Sequence, residues 1–283
     1  MLSLYNKTNF EISKLITQNY STSFSMGIRL FSKELRDPIY AIYGFVRFAD
    51  EIVDTFHDYD KATLLKEFRT ETFKAIENRI SLNPVLHSFQ LIVNEYQIDH
   101  KLIIAFLDSM EMDLEKKTYQ DALQYNQYIY GSAEVVGLMC LQVFCKNDTS
   151  LYENLVPSAK RLGAAFQKVN FLRDMNSDFK EKGRVYFPGI DFDNFDNAAK
   201  EKIILEIKED FDQSLIGIQQ LPIGARKGVH LAYIYYLNLF KKIEKATIQQ
   251  ILNERIRVNN GRKIYLMANV IVQNYLKKAM IRL

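Results

Sequence analysis

The segment from Ala41 to Phe56, AIYGFVRFADEIVDTF, restricts the fold more than any other stretch of the chain. At helical spacing Ile42, Phe45, Ala49, Ile52 and Phe56 form one apolar stripe, and Val46, Phe48 and Val53 extend apolar character around most of the circumference. A helix of that kind is stable only when other elements surround it, so the segment predicts a central, buried helix. What stays polar is narrow. At 100° per residue, Tyr43, Arg47, Asp50 and Asp54 fall within an arc of about 60°, with Glu51 at its edge. Asp50-Glu51-x-x-Asp54 therefore presents two or three acids from one side of a helix otherwise committed to burial.

The rest of the chain supplies helical neighbours. With 11 Gly and 5 Pro in 283 residues, there is too little turn chemistry for a sandwich or barrel of many short strands. The 17 Tyr and 19 Phe exclude disorder. Helical periodicity recurs over 3–17, 33–57, 61–80, 84–95, 99–116, 121–146, 157–180, 196–220, 224–253 and 258–280. Ser32 and Asp121 are expected N-caps, and Asn83-Pro84, Leu221-Pro222 and Asn259-Asn260-Gly261 are breaks. Lys182 to Asn197, with Gly183, Pro188 and Gly189, predicts a loop or flap. Nothing repeats at a fixed period and no linker divides the chain, so residues 1–283 are read as one all-α domain.

A net charge of +3 is too balanced for nucleic acid as the main partner. The longest apolar stretch, Ala133 to Cys145, falls short of the ~20 residues a spanning helix needs. No secretory signal is visible at the N-terminus, and the expected compartment is cytoplasmic. Cys140 and Cys145 are read as buried thiols. His57, His87, His100 and His230 lack metal spacing and are assigned surface or interhelical roles, while Met110, Met112, Met139 and Met175 are assigned to core filling.

A second helix repeats the polar strip. In LGAAFQKVNFLRDMNSDF, residues 162–179, Gln167, Asn170, Asp174 and Asp178 occupy an arc of about 80° beside an otherwise apolar set. An acidic pair at i, i+4 is most often a solvated helix face. Here the burial of both helices turns the strips toward water or an internal cavity. Two carboxylates ~6 Å apart repel by about 3 kcal/mol at an effective dielectric near 20, so such a cluster invites a cation. Oxygen donors of this kind suit Mg²⁺, which takes its remaining ligands from water and substrate phosphate.

The order and spacing of the motifs resemble the squalene and phytoene synthase family of head-to-head prenyl transferases. Tyr20-Ser21-Thr22-Ser23-Phe24 resembles its N-terminal element, Tyr43 through Arg47-x-x-Asp50-Glu51-x-x-Asp54 its first aspartate-rich motif, and Leu162 through Asp178 its second, followed by Gly183-Arg184-Val185-Tyr186-Phe187-Pro188. The resemblance, most like a bacterial phytoene synthase, runs from about Tyr20 to Lys263 and implies the isoprenoid-synthase helical fold with a central cavity. It implies Mg²⁺ (or Mn²⁺) held by Asp50 and Asp54 on one wall and by Asn170, Asp174 and Asp178 on the other. It assigns diphosphate and substrate contacts to Ser21, Ser23, Phe24, Tyr43, Arg47, Tyr128, Gln167, Arg173, Arg184, Tyr236 and Arg255, with Lys263 aligned loosely. Ser132 and Glu134 depart from the family pattern, which has Val and Gly there.

The implied activity is condensation of two geranylgeranyl diphosphates to phytoene through a cyclopropyl diphosphate, with release of diphosphate. Farnesyl diphosphate use, to dehydrosqualene or squalene, is the close alternative; a terpene cyclase or a non-catalytic assembly factor of this fold is more distant. NADPH is not expected, since no G-x-G-x-x-G signature for a Rossmann NADPH site is present; the absence of a hydrophobic C-terminal tail favours a bacterial type of enzyme over the membrane-tethered squalene synthases. Peripheral membrane contact for product release is compatible with so apolar a product. Part of the aromatic content is expected to line the cavity, where π faces tolerate a carbocation.

Overall fold

The computed structural model describes residues 1–115, 118–119, 121–146, 148–190 and 195–280; side chains at 181–182 and 273–280 are outside the description. Its helices are α1 Leu2–Tyr20, α2 Thr22–Arg29, α3 Lys33–Asp54, α4 Lys61–Asn78, α5 Pro84–Tyr96, α6 His100–Glu115, α7 Ala122–Ile129, α8 Val135–Cys145, α9 Thr149–Lys182, α10 Asn197–Gln220, α11 Ile223–Lys245, α12 Ile248–Asn253 and α13 Asn260–Met280. Tyr130–Glu134 forms a π-helical turn between α7 and α8. No strand is present among the described residues; Thr118 and Val185 form an isolated bridge.

As its sequence demands, α3 is central and packs against α1, α2, α4, α5, α6 and α8. Phe45 is fully buried and stacks on Phe89 with ring centroids 3.9 Å apart, while Phe106 meets its edge. Each such ring contributes about 1.5–3 kcal/mol by leaving water. Around this cluster one half of the core is built from α3 to α6 and α8, and a second half from α7 and α9 to α12. In the second half α9 packs against α10, α11 and α12, and it also contacts α8 and the π-turn. The interior cavity lies between the halves, because its lining draws on both clusters.

Several boundaries differ from expectation for identifiable reasons. The turn at Ser21 starts a separate helix, α2, whose N-cap is the Ser21 side chain accepting from the Phe24 amide at 3.2 Å. Asp121 caps α7 as predicted, through the Gln124 amide at 2.8 Å, whereas Ser32 makes no side-chain cap bond. Pro157 does not start α9: the helix begins eight residues earlier at Thr149, with Asp148 as cap. The 224–253 run breaks at Ala246, where Thr247 and Gln250 form a capping box for α12. The stretch Ala122–Cys145, long and apolar enough by composition to cross a membrane, is 56% buried inside the protein and packs on α6 and α9.

Candidate active site

Both acidic strips open into one cavity of about 840 Å³. From α3 it is lined by Tyr43, Arg47, Asp50 and Asp54, and from α9 by Gln167, Asn170, Arg173, Asp174 and Asp178. Phe24, Tyr128, Arg184, Tyr236 and Arg255 complete the set of predicted residues that it gathers. Ser21 and Ser23 do not line it. Ser21 instead caps α2 and hydrogen-bonds Tyr43, whose phenol burial pushes up to about 12 against the pull of Arg47 and Ser21. Lys263 is likewise outside the lining; its backbone oxygen accepts from Tyr235 at 2.8 Å.

The acids are not left uncompensated, contrary to the electrostatic argument from sequence. Arg47 pairs with Glu51 and stands 4.0 Å from Asp50, its guanidinium lying 4.5 Å over the Tyr20 ring. Asp174 is paired by Arg173 and accepts from Arg255 Nε at 2.8 Å. Arg184 Nη1 is 3.8 Å from Asp54 and 3.2 Å from Asp113. Arginine suits these pairs because its planar fork can transfer from carboxylate to phosphate oxygens without changing geometry.

Local structure explains how Arg184 arrives there. Gly183 takes φ +64° after α9, and the Gly183 and Arg184 amides return to Phe179 and Asp178 carbonyls at 2.9 Å each. This helix stop needs the left-handed conformation that glycine adopts without strain. Arg184 is thereby aimed across the cavity at α3 and α6. The expected flap is non-helical but firmly seated at its start: Tyr186 and Phe187 are buried, and Tyr186 stacks on Phe171 at 4.0 Å. Residues 191–194 of that predicted flap lie outside the described residues.

Sequence reading missed Asp113. It continues the buried stripe of α6 after Phe106 and Met110, and an acid at such a position was the available signal. Its Oδ2 accepts from the Tyr128 hydroxyl at 2.9 Å and its backbone oxygen accepts from Arg184 at 2.5 Å. Burial opposes the charge of Arg184, but Asp113, Tyr186 and Tyr128 outweigh it and hold the guanidinium protonated. Arg257, also missed, lines the cavity beside Arg255.

The two departures at Ser132 and Glu134 separate at the π-turn. Ser132 faces the cavity, donates to the Tyr128 carbonyl at 2.7 Å and accepts from Gln167 at 3.2 Å. Glu134 points the other way, into a smaller charged cavity of about 300 Å³ behind α9. There Asp210 is fully buried and bound by Lys168 and Arg161 at 2.7 and 2.8 Å. Burial raises the Glu134 carboxyl above the usual range.

Aromatic faces surround the cavity below the charges. Tyr236 stacks on Phe166 with centroids 3.9 Å apart and donates its hydroxyl to Asn170 at 3.3 Å; Phe24 approaches both Tyr43 and Tyr236. The expectation that part of the Phe and Tyr content is cavity wall is met. Cys140 also lines the cavity, whereas Cys145 is buried in the core. Among the described residues no three His, Cys, Asp or Glu side chains are grouped so that they could hold a metal ion by themselves. The oxygen donors sit instead on two facing walls.

Comparison with known proteins places the chain in a family. Residues 17–262 match the squalene/phytoene synthase family. The chain is 26% identical over 281 residues to phytoene synthase of Rhodobacter capsulatus, covering 93% of this chain and 81% of the relative. It is 24% identical over 200 residues to 4,4'-diapophytoene synthase of Staphylococcus haemolyticus, covering 69% and 67%. Among solved structures, a dehydrosqualene synthase in complex with a ligand superposes with a TM-score of 0.82 at 22% identity, covering 96% of this chain and 98% of that one. The fold is therefore the isoprenoid-synthase helical fold, and the chain belongs to the squalene/phytoene synthase family of prenyltransferases.

Proposed function

We propose that the enzyme joins two geranylgeranyl diphosphates head to head to give phytoene. One observation carries this reading: a single cavity is acidic and arginine-rich at one end and apolar and aromatic along the rest. Such a shape accommodates diphosphates at the charged end and prenyl chains below. The relatives named phytoene synthase support the choice of C20 substrate.

In the proposed reaction the C–O bond of the first substrate breaks, and the departing diphosphate is received by Arg47, Arg173, Arg184 and Arg255. The allylic cation is attacked by the C2–C3 double bond of the second substrate, and proton loss closes the cyclopropane. A second C–O cleavage permits rearrangement to the 1–1′ linkage. Loss of a proton then yields the product without hydride from NADPH. Stacked Phe166 and Tyr236, with Phe24 and Tyr43, present π faces to the cationic stages and exclude water from them.

The donor set fits Mg²⁺. Asp50, Asp54, Asn170, Asp174 and Asp178 all bring oxygen donors to the one cavity, and Mg²⁺ bound by a few carboxylates takes its remaining ligands from water and phosphate oxygens. When bound, Mg²⁺ or Mn²⁺ would neutralise diphosphate charge and so favour its departure.

The test is incubation of purified protein and Mg²⁺ with either C15 or C20 diphosphate, with and without NADPH, followed by product identification. Phytoene from C20 substrate without NADPH is expected. Turnover of C15 substrate alone would overturn the C20 reading in favour of the second one, dehydrosqualene formation, which the similarity to 4,4'-diapophytoene synthase favours.

A further inference from the structure

The cavity has a direction. Its acids lie toward the C-terminal ends of α3 and α9, and its lining continues toward the N-terminal halves of those helices, to Ile39 and Leu155. At 1.5 Å per residue, Ile39 is about 22 Å along α3 from Asp54, and Leu155 is about 28 Å along α9 from Asp174. At that far end two rings meet across the cavity. Phe31, in the bend between α2 and α3, packs against Phe144 of α8 with centroids 5.2 Å apart, and both line the cavity.

The position of Phe31 is fixed from behind. Its amide donates to the Ile28 carbonyl at 3.1 Å and its own carbonyl accepts from Arg36 Nε at 3.0 Å, so the backbone is held on both sides. The ring lies directly on Gly228 of α11: a Cβ there would stand 2.2 Å from Phe31 Cε1 and 2.4 Å from Cδ1. Only a residue without a side chain lets the ring lie back in this way. Any substituent at 228 must displace the ring or itself occupy space at this end of the cavity, since Gly228 is also part of the lining.

We propose that Phe31 and Phe144 form the floor that limits the prenyl chain length the enzyme accepts, and that Gly228 is the positioning residue that sets the height of this floor. The proposal deepens, and rests on, the prenyl condensation proposed above. Removing either ring opens space beyond the present end of the cavity, and filling position 228 or enlarging residue 31 takes space away. The two changes therefore shift chain-length preference in opposite directions.

The experiment compares the parent enzyme with Phe31→Ala, Phe144→Ala, Gly228→Ala and Phe31→Trp, each checked by thermal melting. Two quantities are read: the ratio of kcat/KM for C20 over C15 diphosphate, and the dissociation constants of unreactive prenyl thiodiphosphates of 15, 20 and 25 carbons. Phe31→Ala and Phe144→Ala should each raise the preference for the longer chain about tenfold or more, the range a pocket achieves by size alone. Gly228→Ala should lower it. Because a Cβ at 228 also stands 2.7 Å from the Gly27 carbonyl, Phe31→Trp is included as a filling variant that leaves position 228 unchanged. Unchanged ratios and unchanged binding profiles in folded Phe31→Ala and Phe144→Ala would overturn the proposal. If the parent makes no head-to-head product from either substrate, the reaction proposed above fails, and a length-dependent shift in thiodiphosphate binding still upholds the floor.

Discussion

Tyr128, at the end of α7, donates its hydroxyl to Asp113, near the end of α6, at 2.9 Å. The other carboxylate oxygen of Asp113 stands 3.2 Å from Arg184, so one buried acid holds two residues that face the prenyl cavity. Removing it leaves a buried guanidinium without its nearest charge. Breaking a buried pair in this way costs about 3–5 kcal/mol, which Asp113→Ala should show in urea denaturation. Asp113→Asn keeps the shape and an acceptor for Tyr128 but loses the charge; its turnover should fall by about 100-fold, equivalent to roughly 2.7 kcal/mol of transition-state stabilisation. Parent-like stability and turnover in both variants would show that Asp113 does not hold Arg184.

The pairing of Asp174 with Arg173 and Arg255 leads to a second expectation. These contacts place the carboxylate at the charged end of the cavity, where in the proposed reaction diphosphate and a divalent cation would compete for the same groups. Asp174→Asn should reduce turnover by about 10²–10³-fold, the usual cost of removing one preorganised electrostatic group. Chelation by EDTA should abolish turnover of the parent and added Mg²⁺ should restore it. Full activity in EDTA would remove the case for a divalent cation.

How much of this was legible follows the periodicity of the signal. The polar strips of α3 and α9 stand out because everything around them is apolar, and the structure puts both in one cavity. Asp113 did not stand out, because a single acid on a buried stripe looks like an interruption until the helix facing it is known. The same holds for Phe31: its partners Phe144 and Gly228 are more than a hundred residues away, and no local pattern joins them. The helix expected over 157–180 begins instead at Thr149. Pro157 is a usual helix start, yet it sits within α9 because Asp148 caps the helix a little over two turns earlier.

The π-turn supplies a test of packing. A Cβ on Gly131 would lie 2.5 Å from the Ala105 carbonyl oxygen and 2.7 Å from Ser109 Cβ, so α6 and the turn cannot approach as they do with any larger residue. Gly131→Ala should destabilise the protein by about 1–3 kcal/mol in chemical denaturation. Gly137→Ala is the comparison: its nearest neighbour, the Ala159 carbonyl oxygen, would be 3.4 Å away. There the helical preference of alanine over glycine, up to about 1 kcal/mol, offsets the tighter contact and stability should change little. Equal losses in the two variants would mean that close approach at Gly131 is not what holds the π-turn against α6.

His87 makes stability depend on pH. The imidazole is buried between α1 and the turn before α5, with Nε2 2.8 Å from Asn6 Oδ1 and the Ser81 amide donating to Nδ1 at 3.3 Å. Nδ1 accepts, so the proton is on Nε2 and the ring is neutral. Burial pushes its pKa below the ordinary 6.5, and Tyr5 covers it with a centroid distance of 4.6 Å. The unfolded chain therefore binds a proton at a pH where the folded chain does not. The resulting stability is fully present above about pH 6.5 and is lost as pH falls below it, through the folded-state pKa. Urea midpoints should decline from pH 7 to pH 5 in the parent. His87→Gln, which has no titrating ring, should start lower at pH 7 and decline less, so that the two curves converge at acid pH. A constant gap between them would show that protonation of His87 is not coupled to folding.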